Sequence, residues 1–154
     1  MSKLTLRTFH VFEAPAARVW ALLADFGAIG HWWPTDGPLV IERVEVEGQG
    51  PGMIRHILNR GARHRVSERL ERLDSHERVL QLTILDRDSA RPPWYQATGR
   101  LVDLGDGRCR LDYECEFSTR LGRENQTRDG ILATYTVMFR GLEAASRGQS
   151  VAAT

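Results

Sequence analysis

The chain has 154 residues, 42% hydrophobic and 27% charged, which suits one domain with its own core and leaves too little for two. Lysine and arginine number 21 against 20 for aspartate and glutamate, so there is no electrostatic case for nucleic acid or an anionic membrane as partner. The N-terminal "MSKLTLRTFHVF" lacks a signal-peptide core and no stretch reaches the roughly 20 apolar residues of a membrane helix, so a cytoplasmic protein without membrane insertion is expected.

Residues 4–12, "LTLRTFHVF", alternate polar and apolar positions as a strand does. "EAPAARVWALLADF" then places Pro15 at a helix start, with Val19, Leu22, Leu23 and Phe26 at helical spacing and Trp20 as a packing residue. The Gly- and Pro-rich "GAIGHWWPTDGP" reads as a turn or second short helix followed by a loop, in which one of Trp32 and Trp33 wedges the helices onto the core.

Between residues 39 and 118 six strand-like runs separated by turn signals predict an antiparallel meander. The last run sets Cys109, Leu111, Tyr113, Cys115 and Phe117 against Arg108, Arg110, Asp112, Glu114 and Glu116, one face buried and the other wet. The two cysteines sit about 20 Å apart along that strand at ~3.3 Å per residue, so they are expected as packed thiols. Residues 123–148 follow as an amphipathic helix with Ile131, Tyr135, Met138, Phe139 and Leu142 on one stripe. One-sided strands need a cover, and this helix is the element long enough to supply it. The expectation is an α+β domain over residues 1–148, in the order strand, two short helices, six strands, long helix, with 149–154 as a disordered tail.

That order of elements, with "APAARVWALLADF", "EGQGPGMIR", "ERLERLD", "PPWYQATGRL" and "DGRCRLDYECEF" at their places, resembles the Bet v 1-like START superfamily (SRPBCC), in particular its polyketide cyclase/dehydrase-like branch. The resemblance implies a helix-grip fold: a curved seven-stranded antiparallel sheet wrapped around the C-terminal helix, with a cavity between them for an apolar or amphipathic small molecule. Over residues 52–104 the chain is also similar to the plant abscisic-acid receptors. By that likeness Arg55, Glu68 and Tyr95 face the cavity and residues 90–94 form a gate. The lysine with which those receptors pair a ligand carboxylate has no counterpart in "TDGPLV", so an abscisic-acid-like acid is not expected.

Glu68 shares the parity of Val66 and Leu70, the apolar side of its strand. A buried carboxylate needs a partner. A tight turn at Arg60 and Gly61 would pair Met53 with Glu68 and Arg55 with Val66, leaving Arg55 diagonal to Glu68 and within reach. Such a pair orients a polar ligand group, directly or through water, or tunes Glu68 for proton transfer, or else is a structural ion pair that closes the sheet. Tyr95 and Tyr113 have inward parity next to Ala97, whose small side chain leaves room. His10 and His64 share inward parity, while His56 should face solvent. Leu82, Thr134, Tyr135 and Met138 are expected on the cavity wall, Met138 as an adaptable filler, while Ile131 and Leu142 on the same helix read as ordinary core, and Trp94 at the tip of "DSARPPWYQ" as a lid or contact surface.

No HExxH, clustered Cys/His spacing or oxygen-rich loop marks a metal, and Gly48, Gly50 and Gly52 join two strands instead of opening a helix, so no cofactor is expected. The leading expectation is a carrier or sensor of a hydrophobic or aromatic small molecule, monomeric or homodimeric. The alternatives are a polyketide-type cyclase or dehydratase in which Glu68 moves protons, and a protein-interaction module presenting Trp94.

Overall fold

The computed structural model describes residues 2–85 and 94–148. A strand β1 (Ser2–Phe12) leads into helix α1 (Ala16–Ala24) and a 3₁₀ segment (Phe26–His31). Then come β2 (Ile41–Glu47), β3 (Ile54–Asn59), β4 (Val66–Asp74), β5 (Val79–Ile84), β6 (Trp94–Gly105) and β7 (Arg108–Thr119), and helix α2 (Glu124–Ser146) closes the chain. The seven strands form one antiparallel sheet in the order β1-β7-β6-β5-β4-β3-β2, the meander read from the sequence with β1 added beside β7. Among the described residues no helix is long and apolar enough to cross a membrane. The tail over 149–154 and most of the expected gate, residues 90–93, lie outside the described residues.

Period-two alternation decides which way each strand faces. In β7 Cys109, Leu111, Tyr113, Cys115 and Phe117 are buried, and in β6 Tyr95, Ala97 and Leu101 join them. Both cysteines are free and buried, and burial pushes the Cys109 thiol up to about 11. The sheet bends at three register slips, between Ile41 and Arg43, Leu70 and Arg72, and Asp103 and Gly105. Each slip puts an extra residue on one strand and adds local twist, so the sheet curls and leaves a hollow.

Helix α2 fills part of that hollow with Ile131, Tyr135, Met138, Phe139 and Leu142, the stripe read from the sequence. Three contacts hold it. Arg18 of α1 donates from Nη1 to the Ser146 carbonyl at 3.1 Å, satisfying an acceptor in the last turn. Gly141 lets the helix meet the Trp32–Pro34 segment closely, since a Cβ there would lie 2.7 Å from Pro34 Cδ and closer still to the Trp32 carbonyl oxygen. Arg140 reaches over to Asp36, donating to Oδ1 and to the carbonyl at 3.0 Å each, which fastens the loop after Trp33.

The β3–β4 register departs from the tight-turn reading. Arg55 stands directly opposite Glu68 and Ile57 opposite Val66. Residues 60–65 form a longer connection because β3 stays paired with β2 to its end, with Ile41 opposite Asn59 and the Arg60 amide donating to the Val40 carbonyl at 2.8 Å. The shift is two residues, so parity survives and every side chain keeps its face.

Candidate functional site

The hollow between the inner face of the sheet and α2 is a cavity of about 1060 Å³. Leu80, Leu82 and Ile84 of β5, Ile57 of β3 and Val66 of β4 line its sheet side, Ile131 and Met138 its helix side, and Leu23, Ile29, Trp32 and Trp33 the end covered by α1 and the 3₁₀ segment. Such a wall is apolar with a few converging polar groups, the usual form of a small-molecule site.

The first polar group is the Arg55–Glu68 pair. Arg55 donates from Nε to Glu68 Oε1 at 2.8 Å and from Nη1 to the Phe26 carbonyl at 2.9 Å. Its guanidinium carbon stands 3.8 Å from the centre of the Phe26 ring. Both side chains are largely buried, at 9% and 15% exposed. One carboxylate, one carbonyl and one aromatic face thus satisfy a cation that would otherwise be costly to bury.

The second group is phenolic. The Tyr95 and Tyr135 hydroxyls are hydrogen-bonded to each other across the gap between β6 and α2. The Tyr113 ring meets the Tyr135 ring edge-on at 4.8 Å. Burial raises all three hydroxyls above the ordinary tyrosine value. At Tyr113 the Glu68 charge adds to the rise and Arg55 opposes it. These groups remain neutral at physiological pH, able to donate or accept a hydrogen bond.

Of the residues expected at the site, Arg55, Glu68, Leu82, Tyr95, Tyr113, Thr134, Tyr135 and Met138 line this cavity. Ala97 is fully buried opposite Leu82 and Cys115 but does not reach the wall. The room beside Tyr113 comes from Gly99, its partner on β6, where a Cβ would lie 3.0 Å from the ring. His10 lies elsewhere: it stacks on Phe139 at 5.2 Å between centroids, with Nε2 3.8 Å from Glu143 Oε1. Inward parity holds for it, but the far part of α2 covers that stretch of β1.

His64 is a correction too. It is exposed in the connection over 60–65, where strand parity has no meaning, and lines a separate depression on the outer face with Arg43, Arg63 and Arg65. His56 does lie on the outer face, but it is buried there and not solvated: Ser67 Oγ, directly across on β4, lies 2.6 Å from Nδ1 and Glu47 Oε2 lies 2.9 Å from Nε2. Trp94 is 37% exposed beside Lys3, whose Nζ sits 5.7 Å from its ring centre, and does not line the cavity.

The sequence reading missed the rim. Arg120, Arg123, Gln126 and Thr127, from the β7–α2 connection and the first turns of α2, border the cavity, with Asn59, Leu39 and Ile41 from the β2–β3 side. Thr119 Oγ1 and Thr127 Oγ1, 2.7 Å apart, tie the end of β7 to the helix. Trp33 donates from Nε1 to the Leu39 carbonyl at 2.8 Å and holds the opposite edge. Trp32 and Trp33 both border the cavity. The available signal was the pair of arginines in "STRLGRENQT", set between the last strand and the covering helix.

Three comparisons bear on this architecture. No curated protein matches the chain. Norcoclaurine synthase from Thalictrum flavum, solved with dopamine and hydroxybenzaldehyde, is similar in fold at a TM-score of 0.77 and 15% identity, covering 97% of this chain and 89% of that one. The Zhui aromatase/cyclase from a Streptomyces species aligns at a TM-score of 0.73 and 19% identity over 95% and 94% of the two chains. A Thermobifida fusca protein aligns at 0.78 and 25% over 92% of each. The family described as polyketide cyclase/dehydrase and lipid transport matches residues 3–147. With the seven-stranded sheet, the long C-terminal helix and the cavity between them, this shows that the chain belongs to that family.

Proposed function

We propose that the protein is a cytoplasmic carrier or sensor that holds a hydrophobic or aromatic small molecule between the sheet and α2. The observation that supports this reading most is the cavity itself: about 1060 Å³ with an apolar and aromatic wall and two polar clusters, Arg55–Glu68–Tyr113 and Tyr95–Tyr135. Burying an aromatic body there is favourable by roughly 25 cal/mol per Å² of apolar surface removed from water, and a few fixed polar groups select its orientation. Native mass spectrometry of the purified protein, compared with its denatured mass, tests the reading. A co-purified apolar or aromatic compound is the expected result. An empty protein that binds nothing in a panel of such compounds would overturn it.

A second reading is a cyclase or dehydratase acting on a polyketide-like substrate. The presence of Glu68 and Tyr113 on one wall favours it, since a carboxylate can accept a proton while a neutral phenol donates a hydrogen bond to a developing oxyanion. A confining wall would fold a flexible chain toward ring closure, and that proximity would supply most of the acceleration. Glu68→Gln separates the two readings, because it keeps size and hydrogen bonding but removes the base. Turnover lost with binding retained supports the enzyme, and binding without any turnover in the parent protein supports the carrier or sensor.

A further inference from the structure

The charges on the cavity wall do not balance. The ionisable side chains among its described lining residues that carry charge at neutral pH are Arg55, Glu68, Arg120 and Arg123, and Glu68 is the one acid. Arg55 and Glu68 neutralise each other at the buried end. Arg120 and Arg123 remain, both exposed at the rim and on one turn, the Arg123 amide donating to the Arg120 carbonyl at 3.0 Å. Neither meets a carboxylate within ion-pair distance among the described residues. Arg123 donates from Nη1 to Gln126 Oε1, a neutral acceptor, at 3.0 Å. Glu124, the nearest acid along the chain, instead accepts from the Gly122 amide at 3.2 Å and does not line the cavity.

A second polar group is left over beside the wall. Trp32 lines the cavity and is 3% exposed, yet its indole Nε1–H is buried without a hydrogen-bond partner among the described residues. Tryptophan can only donate, and leaving a buried donor unmade is costly. The wall therefore offers unused cations at its rim, which ask for negative charge, while the Trp32 donor lies sealed beneath the surface.

We propose that Arg120 and Arg123 form an anion subsite at the mouth of the cavity, so that the ligand is an aromatic or hydrophobic body carrying a terminal carboxylate or phosphate. The inference rests on the cavity-binding reading above and narrows its ligand class. It differs from pairing a carboxylate deep in the pocket: the single deep cation here is already taken by Glu68, and the head group stays at the solvent edge while the body enters. Guanidinium groups suit either head group because their N–H fork matches two oxygens at once.

The test is a matched series of 2-naphthylacetate, 2-naphthylacetamide and 2-naphthyl phosphate, titrated into the full chain and read by naphthyl fluorescence. At low salt an anion should bind about tenfold more tightly than the amide, the scale of two exposed charge contacts. The advantage should shrink at high salt as screening sets in. Whichever of carboxylate and phosphate binds more tightly identifies the head group. In Arg120→Gln/Arg123→Gln the anion should fall to the affinity of the amide, whose own binding stays unchanged. Amide and anions binding equally to the parent protein, or the variant weakening the amide as much as the anions, would overturn the subsite and leave the cavity reading standing. No binding by any of the three would overturn both.

Discussion

Replacing Arg55 by methionine removes the cation and keeps much of the apolar stem. It leaves the Glu68 carboxylate, 15% exposed, without its donor, and strips the Phe26 carbonyl of its hydrogen bond. Breaking a buried pair from one side costs about 3–5 kcal/mol, because the surviving charge stays buried. The pair borders a cavity, which places the cost at the lower end, about 3 kcal/mol. For a chain of 154 residues, at roughly 2–4 °C per kcal/mol, this amounts to a drop of about 6–12 °C in Tm. Urea unfolding at pH 7 measures it, provided the slope with denaturant is unchanged so that the shift reports stability. Glu68→Leu in the same background removes the orphaned charge, so Arg55→Met/Glu68→Leu should recover about 2 kcal/mol of the loss. Combined with the Glu68→Leu single variant, that recovery gives the coupling between the two sites. A loss below about 1 kcal/mol for Arg55→Met, or a double variant no more stable than the single one, would refute the view of this pair as a buried, mutually dependent unit.

Gly141→Ala should destabilise by about 1–3 kcal/mol, because the added methyl meets Pro34 and the Trp32 carbonyl. Helix propensity alone would favour alanine by about 1 kcal/mol, so a more stable variant in thermal unfolding would contradict the close approach of α2 to that segment. The chain's three tyrosines are Tyr95, Tyr113 and Tyr135, all with hydroxyls raised above the ordinary value of 10.0. The folded state therefore holds these protons more tightly than the unfolded one, so their contribution to stability is full below pH 10 and declines as pH rises above it. Absorbance at 295 nm should show phenolate appearing together with unfolding seen by circular dichroism; a separate phenolate step near pH 10 in folded protein would contradict their burial. With Cys109 pushed up to about 11 and Cys115 also raised, a thiol reagent at pH 8 should label the native protein far more slowly than the urea-unfolded one, and equal rates would count against buried thiols.

The fold was legible because alternation is a strong signal wherever a strand has one wet face. The opposition of Cys109 through Phe117 to Arg108 through Glu116 assigned the inner side of β7, and the stripe from Ile131 to Leu142 assigned the covering face of α2. The same parity brought Arg55 and Glu68 together even though the turn was read two residues too tight, because an even slip leaves faces unchanged. Parity stops at loops, and the errors concentrate there. His64 was given a face in a segment that is no strand, and Arg120 and Arg123 on the rim carry no alternation to mark them. His10 has the right parity on the wrong stretch of sheet, since alternation says which side a residue faces and not which part of the helix covers it. The packing of Gly99 against Tyr113 and the donor left over at Trp32 arise from contacts between elements distant in sequence, which no local pattern records.

The most direct measurement of the central claim is a titration of neutral 2-naphthylacetamide into the parent protein and into Met138→Trp, which sets a large ring on the cavity wall. The account predicts saturable, one-to-one binding to the parent protein and its loss in a variant that keeps the parent's circular dichroism. Binding that never saturates, or that is equally strong with the cavity filled, would contradict it.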